Sequence, residues 1–232
     1  MRITVICPHF APDTAPTGQV ITEIVHELQN LDHHIHVVTS LPWYRDHSVA
    51  SGWRGRLFAT EKTSWGRITR IHPFISNKRT NLLARAIAFA LFSLVAAFAA
   101  SIGRRTELIV TMSPPLTLAP AGWIAATRHR APLVLNIQDV HPDAAIETGT
   151  LSDERLIKLL KRLEIFSYRK ANAITVLSQD LKQRLSDRVE DESKILVIPN
   201  FVDTERIYPA ERDNSYRHEL GVTDETVVLY AG

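Results

Sequence analysis

Residues 2–7 (RITVIC) form a run rich in β-branched residues, too short for a helix and closed by Pro8. Residues 8–17 (PHFAPDTAPT) carry three prolines, so this stretch reads as a loop. Gly18 follows, and from Val20 apolar residues recur at helical spacing: Ile21, Ile24, Val25, Leu28 and Leu31. A strand that runs through a loop into a glycine-led helix is the opening unit of a doubly wound α/β domain, with a mostly parallel sheet. Ligands of such sheets sit beyond the carboxyl ends of the strands. The free N–H groups and the dipole at the start of the helix suit a phosphate there. Gly18 has no Cβ, so a ligand can approach its backbone.

The rest of the chain continues the alternation. Residues 35–39 read as a second buried strand and 67–71 as another. Between them, residues 41–65 are rich in aromatic and basic side chains (Trp43, Tyr44, Arg45, Trp53, Arg54, Arg56) and interrupted by glycine, a long loop able to stack on a sugar or simply to pack on the sheet. Strands follow at 107–113, 133–137, 173–177 and 195–198, with helices at 116–128, 152–170 and 180–185. His33, His34 and His36 have no carboxylate or cysteine cluster beside them, so a turn-and-strand reading is preferred to a metal site. The strand at 133–137 discharges into Gln138, Asp139, His141, Asp143 and Glu147, polar residues where an open α/β sheet does its chemistry.

Residues 81–102 (NLLARAIAFALFSLVAAFAASI) approach the length of a membrane span. The strands on either side belong to one sheet on this reading, and basic residues flank both ends, which weighs against a span. A helix buried on the sheet and a helix lying in a membrane interface both remain open. The net charge of +2 shows no nucleic-acid footprint, although the pI of about 8.8 suits anionic small molecules or an anionic membrane face. Cys7 is the only cysteine, so no internal disulfide forms, in keeping with a reducing, cytoplasmic setting. The N-terminus lacks the apolar core of a signal peptide.

Four segments, in order, resemble the family 4 glycosyltransferases, whose two Rossmann-like domains face each other in the GT-B arrangement. They are ITVICPHFAPDTAPTGQVITEI, HIHVVTSLPWY, LVLNIQDVHPDAAIETG and VIPNFVDTERIYP followed by VVLYAG. The likeness is strongest to bacterial members that build cell-surface polysaccharides of the colanic-acid and O-antigen type. It implies a retaining transfer of a sugar from a nucleotide-sugar donor to a saccharide acceptor, often lipid-linked, with no cofactor and no required metal. By the same resemblance Thr17, Gly18 and Gln19 lie at the donor diphosphate, and Asp139 and His141 beside the reacting acceptor hydroxyl. Tyr44 and Asp143 are placed as acceptor contacts. Many relatives carry two glycines where this chain has Thr17-Gly18, and a glycine where it has Phe201.

The resemblance divides the chain into an acceptor-side domain (1–200), a linker (201–225) and the first strand of a truncated donor-binding domain (226–232). The 232-residue chain alone is then expected not to catalyse transfer. Docking on the inner face of the cell membrane through residues 81–102 is expected as well. Rival readings are a sugar-nucleotide epimerase or hydrolase on the same fold, a non-catalytic acceptor- or membrane-docking subunit paired with a separate donor domain, and an inactive remnant of a degraded gene.

Overall fold

The computed structural model of the chain describes residues 1–75, 82–139, 143, 153–205, 207–222 and 224–228. It divides into two compact units, Met1–Asn200 and Phe201–Gly232.

The first unit is built on a sheet of eight strands: β1 (Arg2–Ile6), β2 (His34–Ser40), β3 (Phe58–Thr63), β4 (Gly66–Ile71), β5 (Leu108–Ser113), β6 (Leu133–Ile137), β7 (Ala173–Val176) and β8 (Ile195–Val197). Their order is β3-β4-β2-β1-β5-β6-β7-β8, parallel throughout except for the β3–β4 pair. The chain therefore winds outward from β1 to one edge, returns to β5 beside β1, and winds to the other edge. The reversal at β1 and β5 is the topological switch point, where the loops diverge and leave a crevice. The α/β, doubly wound and mostly parallel architecture expected from the alternation is the one observed.

Both faces of the sheet are covered. Ile3 and Val5 of β1 point to the face closed by Ile21 and Val25 of helix α1 (Pro16–Asn30). Ile6 points to the opposite face, where α2 (Leu82–Ser101) and α3 (Leu118–His129) pack with Val38, Ile71 and Ile109. Alternation along a two-sided strand produces this division directly. Helices α4 (Glu154–Lys170) and α5 (Gln179–Ser186) close the β6–β8 end, their Tyr168 and Leu185 packing with Ile174 and Val176. The Asp153 carboxylate caps α4 by accepting from the N–H groups of Arg155 and Leu156 at 2.8 and 3.0 Å. In the second unit a short helix, α5's successor α6 (Ser215–Glu219), is capped by Asn214. Residues 226–228 carry no strand pairing, and the remainder of the strand expected at 226–230 lies outside the described residues.

Two elements differ from the sequence reading. Helix α1 starts at Pro16, two residues before the glycine expected to lead it, because proline is well suited to a first helical turn, where an N–H would find no partner. Strand β3 falls inside the stretch read as a long loop. Its sequence, FATEKT, is an edge strand without apolar alternation, and only pairing with β4 reveals it.

Helix α2 is two-faced. Ala88, Phe92, Ala96, Ala97 and Ala100 are buried, and small residues let the helix sit close to α3. Ile87, Leu91, Leu94 and Phe98 form one exposed stripe, with Leu94 and Phe98 at 65% and 69% exposure. It is the one helix among the described residues long and apolar enough to cross a membrane, yet β4 and β5 on either side of it share one sheet.

Burial holds the His36 imidazole far below its usual range, at about 3, with the neighbouring Arg67 as the next cause. In an unfolded chain this ring takes up a proton as pH falls through its ordinary value of 6.5, while the folded protein does not. Stability is therefore expected to fall on acidification, by about 2 kcal/mol between roughly pH 7 and pH 5 from this group alone. Denaturant unfolding at the two pH values should show that loss, and a much smaller one in His36→Gln.

Candidate functional site

A cleft of about 560 Å³ opens at the switch point. One wall is the loop after β1, contributing Pro8 and His9, together with Pro16 and Thr17 from the start of α1. The other is the loop after β5, with Pro114, Pro115, Leu116 and Thr117. Tyr44 enters from the loop after β2, Arg85 and Phe89 from α2, and Leu160 from α4. The lining is mostly apolar with a few polar groups, the usual make-up of a small-molecule site.

The loop after β1 is held from several sides. Ser40 donates its hydroxyl to the Pro8 carbonyl at 2.6 Å. The buried Arg70 guanidinium, ion-paired with Glu61, donates to the Ala11 carbonyl. Thr22 donates to the Gly18 carbonyl at 2.6 Å and accepts from the Ala11 N–H at 3.0 Å. Asp13 joins two loops. Its Oδ1 accepts from the N–H groups of Thr14 and Tyr44, each at 3.1 Å, and its Oδ2 accepts from His9 Nδ1 at 2.7 Å. The Trp43 N–H adds a longer contact at 3.5 Å. A carboxylate with only 6% exposure is thus satisfied by donors alone.

The His9–Asp13 pair is the chemical feature of the cleft. His9 is packed between Trp43 and Tyr44, with ring centroids at 5.3 and 5.4 Å. With the Asp13 carboxylate accepting at Nδ1, the neutral ring carries its hydrogen there and a lone pair at Nε2. Among the described residues no protein group bonds Nε2. An imidazole fixed in one tautomer by a buried carboxylate, beside a cleft, is equipped to accept a hydrogen bond from a substrate hydroxyl. The Cys7 thiol, one residue before the loop, is buried and pushed up to about 12 by that burial, so it serves as packing.

The structure brings together some of the residues singled out from sequence and separates others. Thr17 and Tyr44 line the cleft. Gly18 is buried, and a Cβ built there would lie 2.8 Å from the His9 Cβ. The close approach that requires glycine on its Cβ side is therefore made by His9. Gln19 is exposed, donating its side-chain amide to the Thr14 carbonyl at 3.4 Å. Asp139 is exposed just beyond β6, where Gln138 bonds to Asn136 and Asn200. Asp143 pairs with Arg188, which also holds the buried Glu164 at 2.9 Å, while Tyr168 donates to Glu164 at 2.8 Å. His141 and Glu147 lie outside the described residues. Of the aromatic loop, Trp53 packs under Arg70 and Arg56. His9 and Asp13 were missed from sequence; a histidine and an acid four residues apart in a proline-rich loop were the available signal.

A family model described as a glycosyl transferase 4-like domain matches residues 17–200. The chain is similar to WcaI of Escherichia coli (strain K12), assigned to glycosyl transfer in colanic acid biosynthesis. Identity is 23% over an alignment of 243 residues, covering 100% of this chain and 58% of that protein. Among solved structures, sucrose-phosphate synthase from Thermosynechococcus elongatus matches with a TM-score of 0.64 and 16% identity, over 96% of this chain and 53% of its own. HepE of Anabaena, solved in complex with UDP-glucose, matches with a TM-score of 0.55 and 15% identity, over 95% and 50%. The chain thus spans between 50% and 58% of the length of these relatives, and the solved structures agree with it in fold.

Proposed function

The chain belongs to the glycosyl transferase 4-like family, and from that premise we propose that it forms the acceptor-side half of a retaining glycosyltransferase acting in cell-envelope or exopolysaccharide synthesis. The observation that carries this is His9, fixed by the buried Asp13 at the mouth of the β1/β5 cleft. Its Nε2 orients the attacking acceptor hydroxyl, while Tyr44 stacks on the sugar ring that bears it. The first turn of α1 faces the donor: the Thr17 and Gly18 N–H groups and the helix dipole stabilise charge developing on the leaving diphosphate. Gln19 supports that turn from outside the cleft through Thr14. Asp139, one strand beyond β5, borders the acceptor, with His141 assigned beside it from the family resemblance. A nucleoside diphosphate sugar is the donor, as the UDP-glucose complex of HepE supports. About half the length of the relatives lies outside the match, so the donor nucleotide is held by a second half of that kind. The 232 residues alone then do not complete transfer.

The acceptor is a lipid-linked saccharide at the cytoplasmic face of the membrane. Support comes from the exposed stripe of α2, which an interfacial position would cover, and from Arg85 and Arg104 near its ends, whose charge favours anionic headgroups. Replacing Leu94 and Phe98 together by serine is expected to abolish sedimentation with vesicles without lowering the thermal midpoint, because both side chains are already in water. Unchanged sedimentation would rule out this face.

Retention is tested by the anomeric configuration of the product. Transfer by the intact gene product should preserve the configuration of the donor sugar in the new linkage, read from the anomeric proton coupling. Inversion would favour a second reading that the same dyad supports, in which His9 takes the proton of the attacking hydroxyl as a general base.

A further inference from the structure

The opposite end of the sheet holds a second pocket, of about 330 Å³, at the amino ends of β1, β2 and β4. It is lined by Arg2, His34, His36, Arg67, Arg104 and Thr106, with no carboxylate in the lining. This lies away from the carboxyl-end cleft where sheets of this kind take their substrates.

The guanidinium groups are held by neutral acceptors. Arg67 Nη2 donates to His36 Nδ1 and to the Ile102 carbonyl, each at 3.2 Å. Because Nδ1 accepts, the hydrogen of His36 sits on Nε2, which donates to the Thr69 hydroxyl at 2.9 Å. The ring stays neutral, as its depressed pKa requires, and serves to aim Arg67. Arg2 Nε donates to the Arg105 carbonyl at 2.8 Å. Arg104 is exposed, and among the described residues it has no ion-pair partner. In the adjoining hollow, beside Arg105 and Arg130, Glu107 accepts the Arg2 backbone N–H at 2.7 Å. Arg2 shares the field of Glu107, whereas Arg67 and Arg104, with no carboxylate in the pocket lining, keep their charge for an outside anion, and guanidinium groups match phosphate oxygens in geometry.

Position identifies the source of the anion. Ile102, whose carbonyl anchors Arg67, ends the apolar stripe that runs along α2 through Leu94 and Phe98. A helix lying in the membrane interface along that stripe brings the pocket to headgroup level. We propose that the Arg2–Arg67–Arg104 pocket binds the phosphate of an anionic lipid headgroup, fixing the orientation of the chain on the membrane. This rests on the membrane reading of α2 and adds to it a discrete headgroup site.

Flotation with vesicles of phosphatidylcholine, with and without phosphatidylglycerol, separates the two. The unaltered chain should bind the anionic vesicles more tightly. Arg104→Gln and Arg67→Gln should each weaken binding to anionic vesicles about fivefold and leave binding to neutral vesicles unchanged. Arg104 is exposed, so its variant reports on binding and not on folding. An anionic preference undiminished in both variants would overturn the pocket and leave the α2 reading standing, as would equal binding of the unaltered chain to both vesicle types. Failure to bind either vesicle would overturn both. Saturable binding of inorganic phosphate that Arg104→Gln removes, with no vesicle preference, would overturn the lipid as the source.

Discussion

Replacing His9 by alanine is expected to lower glycosyl transfer by the intact gene product about 10²- to 10³-fold, the range typical of a positioned group that handles a reacting hydroxyl. The fold should survive, because the loop that carries His9 is held independently by Ser40, Arg70 and Thr22. Alanine keeps the Cβ that Gly18 makes room for, so the packing of the loop on α1 is retained. Asp13→Asn should behave differently. Asp13 accepts from His9 and from the N–H groups of Thr14 and Tyr44. An amide turns one of these acceptors into a donor facing donors, which costs about 1–3 kcal/mol of stability. It also removes the bond that keeps the hydrogen of His9 on Nδ1, so activity falls as well. Kinetics and denaturant unfolding on the two variants together separate the roles: His9→Ala loses rate alone, and Asp13→Asn loses rate and stability. Full activity in His9→Ala would remove the dyad from the reaction.

The largest loss of stability is expected at Gly66. Its φ of 153° lies in the region that favours glycine, and a Cβ there would stand 1.8 Å from the Ile35 carbonyl oxygen. That carbonyl belongs to the β2–β4 ladder, in which Ile35 pairs with Gly66, and the Ile35 N–H is bound to the Trp65 carbonyl at 2.9 Å. Backbone on both sides cannot give way as a side chain would. Gly66→Ala should cost about 3–5 kcal/mol, near the upper end for single substitutions. It should also loosen the β3–β4 hairpin and Arg70, which links that hairpin to the β1 loop. A midpoint within a degree or so of the unaltered chain would show that the turn adapts.

Strand and helix periodicity made most of the first unit legible. The strands read at 35–39, 133–137 and 173–177 fall within β2, β6 and β7, give or take a residue, because each is a dense apolar run buried on both faces. Strand β3 was not legible, since FATEKT buries none of its side chains fully and so shows no core face. The site was legible at the level of the fold and less so in its residues. Thr17 and Tyr44 could be placed near the switch point from their loops, but Gly18 was read for its missing Cβ without knowing that His9 fills the space. Asp143 was singled out for its place beyond a strand end; its partner Arg188 is 45 residues away, and no local pattern announces that pair. His9 and Asp13 depend on the loop folding back over α1, a tertiary event that spacing alone does not disclose.

The most direct test of the central claim is to fill the β1/β5 cleft. Ala86 lies on the exposed side of α2 and lines the cleft, so Ala86→Trp adds bulk there without entering the core. Transfer of labelled sugar from a nucleotide-sugar to a lipid-linked acceptor should then be lost in the intact gene product, while binding of the nucleotide-sugar is retained. Transfer at the unaltered rate by Ala86→Trp would contradict the assignment of this cleft to the acceptor.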